Sequence, residues 1–280
     1  MGAPTFVPSG LRAIPPTAIF GILVIAFYVS IAVFAPSLAP FGQSEIVGPE
    51  YQLWSVQHPL GTDSLGRDTL SRLIYAARNT LGIAFLATFL AVSLGTVAGL
   101  LAATSGVLVD QLLSRLVDIL MAIPSLIFAL LLLTVFGTSV TSLILVIGVI
   151  DSTRVFRLAR AVSCGIVVMD YVEAARIRGE GLWWVIRREI LPNAAPPLVA
   201  EFGLRFCFVF LTIAALSFLG LGIQPPLADW GSMVRDTATL IAFGDITPLV
   251  PATAIALLTI SVNFVVDWML YKASGLKDRH

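Results

Sequence analysis

The stretch LGIAFLATFLAVSLGTVAGLLAA, Leu81–Ala103, contains no charged residue, and its length decides the fold class. About 20 helical residues, rising about 1.5 Å each, cross the ~30 Å hydrocarbon layer of a bilayer. Five further apolar stretches of similar length occur along the chain; they lie at about 17–39, 116–136, 139–157, 199–221 and 248–271. The sequence therefore predicts an all-α membrane protein with six transmembrane helices.

The composition agrees with this prediction. Of the 280 residues 58% are hydrophobic and only 12% are charged, and the mean hydropathy is +0.94. The net charge of zero gives no basic field that would indicate nucleic-acid binding. The two cysteines, Cys164 and Cys207, form no CxxC pair, so they are expected to be packing residues rather than a disulfide or metal site. The first apolar run is too long for a cleaved signal peptide, which predicts a retained first helix.

The distribution of Lys and Arg predicts the orientation of the chain. With the N-terminus in the cytoplasm, twelve of these residues fall inside and four outside, with Arg205 inside the fifth span; this bias predicts that both termini are cytoplasmic. The inner residues are Arg12, Arg115, Arg154, Arg157, Arg160, Arg176, Arg178, Arg187, Arg188, Lys272, Lys277 and Arg279, and the outer ones are Arg67, Arg72, Arg78 and Arg235. The predicted parts are an inner segment 1–16, a first helix 17–39, an outer loop 40–80, a core 81–271 with an inner loop 157–198, and an inner tail 272–280.

The inner loop contains YVEAARIRGEGLWWVIRREILPNAAPP, Tyr171–Pro197. It predicts a short helix that includes Glu173, a sharp turn at Gly179, a second short helix over 182–191, and a stop at Pro192. Two interpretations follow from the physics of these residues. The unit is either a handle for a soluble partner or an amphipathic helix that lies in the membrane interface.

The outer loop contains HPLGTDSLGRDTLSRLIYAARNTL, His58–Leu81. Its glycines and alternating charges predict a tight turn with Asp–Arg pairing, which enters a helix near Asp68 or Thr69. The residues concerned are Gly61, Asp63, Gly66, Arg67 and Asp68. A solvated loop with a few salt bridges is the alternative, and His58 is expected to be structural rather than a ligand.

Two apolar motifs complete the pattern. DILMAIPSLIFALLLL, Asp118–Leu133, has Pro124 inside an apolar helix, which predicts a kink. LSFLGLGIQPPLADWG, Leu216–Gly231, is predicted to end the fifth helix at its glycines and to lay a proline-rich loop over it. In the second helix Gly95 and Gly99 form a GxxxG pair, which indicates close helix packing.

The run EAA, three further residues, Gly179 and then a dozen residues to Pro192 resembles the EAA loop of ABC-importer permeases. The four motifs in this order resemble the dipeptide, oligopeptide and nickel permeases, in the subunit with a long loop after its first helix. The resemblance implies a type I importer permease fold. It assigns ATPase coupling to Glu173, Ala174, Ala175, Gly179, Leu191 and Pro192, a structural or pathway role to Pro124, Ser217, Gly220 and Gly222, and an extracytoplasmic motif to Gly61, Asp63, Gly66, Arg67 and Asp68.

The resemblance also implies partners in a bacterial or archaeal cytoplasmic membrane. These are a second homologous permease, two ABC ATPase subunits, an extracytoplasmic solute-binding protein and membrane lipid. The chain itself lacks the phosphate-binding pattern GxxxxGK[ST] and any nucleophile–base or metal-ligand constellation. We therefore expect a chain without catalytic residues, metal or cofactor, with ATP and magnesium held by the ATPases.

Some positions depart from the family pattern. Ile213 stands where many relatives have Glu, and Glu189 stands where the generic pattern has Ile, although Ile190 follows directly before the proline motif. Such differences leave the cargo open between dipeptide, oligopeptide, nickel and other solutes. The alternative class is a self-contained carrier or channel, coupled to ions through Asp267 or through Glu201 and Arg205, which lie four residues apart on one helix face.

Overall fold

The computed structural model describes residues 14–274. The predictions that concern Arg12, Lys277 and Arg279 therefore fall outside the described residues, as do most of the predicted inner segment 1–16 and the end of the tail 272–280.

Ten α-helices and no strand form the described part of the chain, as predicted for an all-α protein. The helices are α1 Pro16–Leu38, α2 Thr69–Thr104, α3 Val107–Met121, α4 Ser125–Phe136, α5 Val140–Val167, α6 Asp170–Ile177, α7 Leu182–Val185, α8 Leu191–Phe218, α9 Trp230–Thr237 and α10 Leu249–Ser274. A π-helical turn over Ile186–Ile190 joins α7 to α8, and a 3-10 turn over Ala238–Phe243 follows α9.

Four of the described helical stretches are long and apolar enough to cross a membrane by themselves. They are Pro16–Leu38, Thr69–Thr104, Leu182–Phe218 and Leu249–Lys272. The pair α3 and α4 forms a fifth if it is one span, and it is bent by 87°. Helix α5 is long enough, but its middle carries Asp151, Arg154, Arg157 and Arg160. Length and composition thus support four or five spans among the described residues, and α5, the predicted sixth, is not among them.

Helices α2 and α5 pack closely along their length, as the GxxxG pair predicted. A methyl group on Gly95 would lie 2.5 Å from the carbonyl oxygen of Ser152, and one on Gly99 would lie 2.7 Å from the Cβ atom of Ala159. The contacting residues rise together along both helices, so α2 and α5 run parallel. The chain between them must therefore return across the same thickness, and α3 and α4 make this return.

The bend between α3 and α4 confirms the kink predicted at Pro124. This proline is the N-cap residue of α4, and α3 ends at Met121. Proline offers no N–H donor, so it is accommodated at the start of a helix far better than in its interior.

Helix α2 begins at Thr69, inside the predicted outer segment 40–80, as the helix entry predicted near Asp68 or Thr69 requires. Its first turns bury small and polar side chains that hydropathy does not recognise. The predicted end of the fourth apolar stretch was wrong. Helix α5 reaches Val167 instead of residue 157, since Arg157 lies on its exposed side while Phe156 and Ala159 are buried. Charged residues on one exposed face do not stop a helix.

The predicted stop at Pro192 was also wrong. The chain stays helical from Leu182 to Phe218, through the π-helical turn and into α8. Pro192 occupies the first turn of α8, where an N–H donor is least needed, and the wider π turn precedes it. Pro196 and Pro197 lie inside α8.

An aromatic cluster closes one end of the helix bundle. The ring of Trp230 makes edge contacts with Tyr28 and Phe210 at centroid distances of 5.4 and 6.1 Å. Its Nε1 atom donates a hydrogen bond of 3.1 Å to the carbonyl oxygen of Leu73. Cys207 packs in the adjoining core as predicted, whereas Cys164 is exposed, so the packing prediction fails for Cys164.

Candidate functional site

The outer motif folds into a compact charged cluster, which we call the His58–Arg72 cluster. Asp63 Oδ2 lies 2.7 Å from both the Nε and Nη2 atoms of Arg67 and 3.3 Å from Arg72 Nε. Asp63 Oδ1 accepts backbone hydrogen bonds from Leu65 and Arg67. All three charged residues are buried. The predicted Asp–Arg pairing is therefore present, and the alternative of a solvated loop is not.

Asp68 connects this cluster to α2. Its Oδ2 atom accepts hydrogen bonds from the backbone N–H and the hydroxyl of Ser71, at 2.8 and 2.7 Å. This makes Asp68 the N-cap of α2, which confirms the predicted helix start. Its Oδ1 atom lies 2.9 Å from Nδ1 of His58, which is buried and packs against the ring of Phe41. His58 thus has a structural position, as expected.

The two glycines of this motif are required by the backbone. Gly61 and Gly66 have φ angles of +70° and +71°, which L side chains rarely adopt. A methyl group on Gly61 would lie 2.3 Å from the carbonyl oxygen of Gln52, and one on Gly66 would lie 2.1 Å from that of Gly48. The glycines let the loop 48–52 close over the cluster.

We predict that Gly66→Ala will strongly destabilise the folded protein. The left-handed backbone alone costs about 1–2 kcal/mol, and the contact with the Gly48 carbonyl adds to this because backbone atoms cannot move aside cheaply. Gly244→Ala is the matched control, since Gly244 has a left-handed backbone with φ +79° but open space around it. Thermal midpoints in mild detergent should fall much further for Gly66→Ala. Equal midpoints would show that the close contact carries no cost.

The segment between α8 and α9 folds over the same end of the bundle. Ser217 Oγ accepts a hydrogen bond of 3.1 Å from the N–H of Ile223, and a methyl group on Gly222 would lie 2.0 Å from that oxygen. Gly220 has a φ of +87°, so it supplies the left-handed turn after α8. The predicted residues Ser217, Gly220 and Gly222 thus form one tight turn. Pro124 lies apart from it, at the α3–α4 break.

Asp229 begins α9 beneath this segment. Its Oδ1 atom accepts hydrogen bonds from the backbone N–H groups of Gly231 and Ser232, at 2.8 and 3.2 Å. The residue is fully buried, and burial raises the pKa of Asp229 against the opposing effect of its hydrogen bonds with Ser232. The capped carboxyl fixes the direction in which α9 leaves the loop.

One contact at this end escaped the sequence analysis. Asn79 Nδ2 donates hydrogen bonds to Gln43 Oε1 and to the carbonyl oxygen of Ala228, at 3.0 and 2.8 Å. The N–H of Ala228 donates to the same oxygen of Gln43. Three distant segments therefore meet at two amide side chains. Isolated Asn and Gln residues form no sequence pattern, so no signal pointed to them.

Beyond the C-terminal end of α5, the EAA run forms part of an element that we call the α6–α7 element, residues 168–190. Val172 and Ala175 of α6 are fully buried against Val185 and Ile190, and Leu100 from α2 joins them. Glu173 and Ala174 are exposed, as are Arg176 and Ile177. Of the residues predicted to contact an ATPase, Ala175 therefore supports the element from within, and Leu191 and Pro192 are exposed beyond it.

Gly179 makes the turn between α6 and α7. Its φ is +82°, and its N–H donates a hydrogen bond of 2.9 Å to the carbonyl oxygen of Arg176. The N–H of Glu180 donates a hydrogen bond to the carbonyl oxygen of Ala175. Glycine in this conformation is the usual end of a helix. A Cβ atom there would meet no neighbour within 4 Å, so the space around Gly179 is open.

The surface around Gly179 exposes large apolar side chains beside the exposed charges of Arg176 and Arg178. Val168, Ile177 and Trp183 are each at least 70% exposed. A recess of about 440 Å³ lies between the end of α5 and α6, with Glu173 and Arg176 at its border. Exposed apolar residues grouped with a few charges are typical of a protein–protein contact.

A second charged cluster lies between α5 and α8. Arg205 Nε lies 2.7 Å from Glu201 Oε1, as its four-residue spacing predicted, and Arg205 Nη1 lies 3.4 Å from Asp151 Oδ1. Asp151 and Arg205 are buried, and the side chain of Glu201 is nearly so. The sequence could not reveal Asp151 as a partner, because it lies 54 residues from Arg205.

Comparison with known proteins assigns the arrangement to a family. Residues 95–273 match the family described as the inner membrane component of binding-protein-dependent transport systems. This match includes α5, the α6–α7 element, α8, α9 and nearly all of α10. The chain belongs to this family.

Curated relatives extend the similarity to the N-terminal part of the permease. This chain is 36% identical over 268 residues to the dipeptide transport system permease protein DppC of Escherichia coli K12, and the alignment covers 93% of this chain and 87% of that protein. It is 34% identical to the protein of the same description from Alkalihalophilus pseudofirmus, covering 93% and 84%. The glutathione transport system permease protein GsiD of Pectobacterium atrosepticum is 28% identical, with 91% and 83% covered.

Solved structures share the fold of the permease. An inward-facing form of the MetNI methionine ABC transporter aligns with a TM-score of 0.60 and 17% identity, covering 72% of this chain and 95% of that chain. An amino acid ABC transporter with histidines aligns with a TM-score of 0.54 and 22% identity, covering 73% and 94%. The expected ABC-importer permease fold is thereby confirmed in its general form.

Proposed function

We propose that this permease is one of two related membrane subunits of an ATP-driven importer for short peptides, and that the α6–α7 element couples it to the ATPase subunits. The observation that carries the proposal is the combination of an apolar, exposed helix end at Gly179 with relatives named as dipeptide permeases. The ATP would be bound with magnesium by the partner subunits.

The α6–α7 element is suited to transmit force. Its buried side chains join α2, the end of α5 and the π turn into one packed unit, while Glu173 and Ala174 stay exposed. The unit continues without a break into α8, because the stop expected at Pro192 does not occur. A push on α6 therefore acts directly on a membrane helix. Rigid-body movement of such helices would alternate access to a pathway between the two permeases.

The membrane topology we propose has six spans: α1, α2, the bent pair α3 and α4, α5, α8 and α10. Helix α5 is included because it lies parallel to the apolar run of α2 with glycine contacts at residues 95 and 99. Six crossings place both ends of the chain on one side. The bias of Lys and Arg makes that side the cytoplasm, in a bacterial or archaeal membrane.

The opposite face would receive a solute-binding protein. There a recess of about 460 Å³ lies between residues 51–62 and 237–247, and Trp54 and Phe243 at its border are strongly exposed. The His58–Arg72 cluster holds this face rigid from below. A rigid, partly apolar surface is suited to a transient protein contact.

The test is reconstitution. We expect the permease to co-purify in mild detergent with a second permease, ATPase subunits and a binding protein, and liposomes that contain this complex should accumulate labelled dipeptide only with ATP. Liposomes with this chain alone should accumulate none. Uptake by the single chain, driven by an ion gradient and indifferent to ATP, would establish the self-contained carrier instead.

A further inference from the structure

Arg154 lies at the middle of α5 with its side chain exposed. The contacts of Gly95 with Ser152, Val155 and Phe156 place this part of α5 level with Gly95. Gly95 itself lies inside the uncharged run 81–103 of α2. The depth of Arg154 is therefore that of the hydrocarbon layer in the six-span topology, on which this inference rests.

Arg154 cannot easily reach the membrane surface. The nearer end of the apolar run, Ala103, lies eight helical steps beyond Gly95, which corresponds to about 12 Å at ~1.5 Å per residue. Helical side chains tilt towards the N-terminus of their helix, and for α5 this direction leads away from the nearer end. An arginine at this depth that faced lipid would be costly, so its exposed surface must face protein or water.

The same face of α5 is left largely open by the other described helices, although Arg157 reaches Met121 at the end of α3. Its exposed positions continue from Arg154 through Arg157, Ala161 and Cys164, at helical spacing. By contrast, the exposed face of α4 carries no charged residue and presents Ile127, Leu131 and Val135 beside Thr134. A stripe with two guanidinium groups and small side chains indicates a hydrated surface. Such a stripe fits the wall of a water-filled pathway.

The buried charges near Arg154 affect how strongly its guanidinium group can attract an anion. Arg205 pairs with both Asp151 and Glu201, so this buried group has one negative charge in excess when both carboxyl groups are ionised. Arg154 forms no hydrogen bond or ion pair of its own among residues 14–274, and it acts on both carboxylates only at longer range. Its guanidinium donors are thus free to bind an anion from the pathway.

We propose that Arg154 binds the terminal carboxylate of the peptide as it passes through the membrane. A guanidinium recognises a carboxylate through two parallel hydrogen bonds. The excess negative charge of the group behind weakens this attraction. Weak binding suits a transport pathway, because the cargo must leave the site as readily as it enters.

The test compares a labelled peptide with its C-terminal amide in liposomes that contain the whole transporter, at concentrations that saturate the binding protein with each. The measured quantity is the uptake ratio of free acid to amide, and the ratio of each variant is divided by that of the wild type. Selection by the binding protein cancels in this quotient. We expect Arg154→Gln to lower the quotient about tenfold, as loss of a charge-assisted hydrogen bond implies, and Arg154→Lys to restore part of it.

Arg115→Gln is the control, since Arg115 is also exposed but lies on α3 and is not part of the stripe on α5. Its quotient should stay near one. If Arg154→Gln reduced the uptake of both peptides equally, or released the second permease from the complex, Arg154 would have a structural or subunit-contact role and the inference would fail. Absence of ATP-dependent peptide uptake by the wild type would overturn the proposed function instead.

Discussion

Gly179→Asp is expected to reduce ATP-dependent peptide uptake to background while the protein remains folded in the membrane. The new carboxylate would stand on the apolar surface formed by Val168, Ile177 and Trp183, where a partner subunit must exclude water from the contact. The fold should tolerate the change, because aspartate accepts a left-handed backbone better than most residues and the space around Gly179 is open. Uptake and the amount of ATPase subunit that co-purifies are the two measurements.

Gly244→Asp is a closely matched control for this variant. Gly244 has φ +79° against +82° for Gly179, it ends a helical turn in the left-handed conformation, and a Cβ atom at either position would have no neighbour within 4 Å. It lies after the 3-10 turn that follows α9, beside the outer recess and far from the α6–α7 element. Gly244→Asp should keep the ATPase subunits bound. Normal uptake by a well-expressed Gly179→Asp variant would contradict the coupling role of the α6–α7 element.

Patterns that involve neighbouring residues were readable from the sequence. The Asp–Arg pairing of Asp63 and Arg67, the helix start at Asp68 and the turn at Gly179 each depend on local backbone geometry, so the order of residue types predicts them. The apolar runs likewise revealed α1, α2 and α10. The ends of the helices could not be read from hydropathy, because helices continue beyond the apolar part wherever polar side chains find an exposed face or a partner.

Contacts between distant segments were not readable in the same way. The meeting of Gln43, Asn79 and Ala228 depends on how three segments pack, and Asp151 finds Arg205 only because α5 lies beside α8. The continuation of helix past Pro192 depends on a π turn, which has no sequence signature among these residues. Tertiary packing decided each of these features.

Arg205→Met is expected to lower the free energy of unfolding by about 3–5 kcal/mol, the range for breaking a buried ion pair from one side. Arg205 is the shared partner of Asp151 and Glu201, and none of the three side chains is more than 12% exposed. Without it, two carboxylates would remain buried without a counter-charge among their contacts. The cation–π contact between Arg205 and the Phe208 ring, at 4.8 Å, would be lost as well. The thermal midpoint in detergent and the yield of folded protein measure the effect, with Arg115→Met as a control for loss of an exposed arginine.

The triple variant Asp151→Asn, Glu201→Gln, Arg205→Met separates loss of a charge partner from loss of packing. It removes every charge of the group while keeping similar side-chain volumes, and neutral replacement of a buried ion pair is often tolerated. We expect it to recover most of the stability that Arg205→Met loses. Because Arg154 would then face a neutral group, the attraction between Arg154 and an anion should increase, and the free-acid peptide should leave the pathway more slowly. A triple variant as unstable as Arg205→Met would mean that the shape of the arginine, rather than its charge, holds α5 against α8.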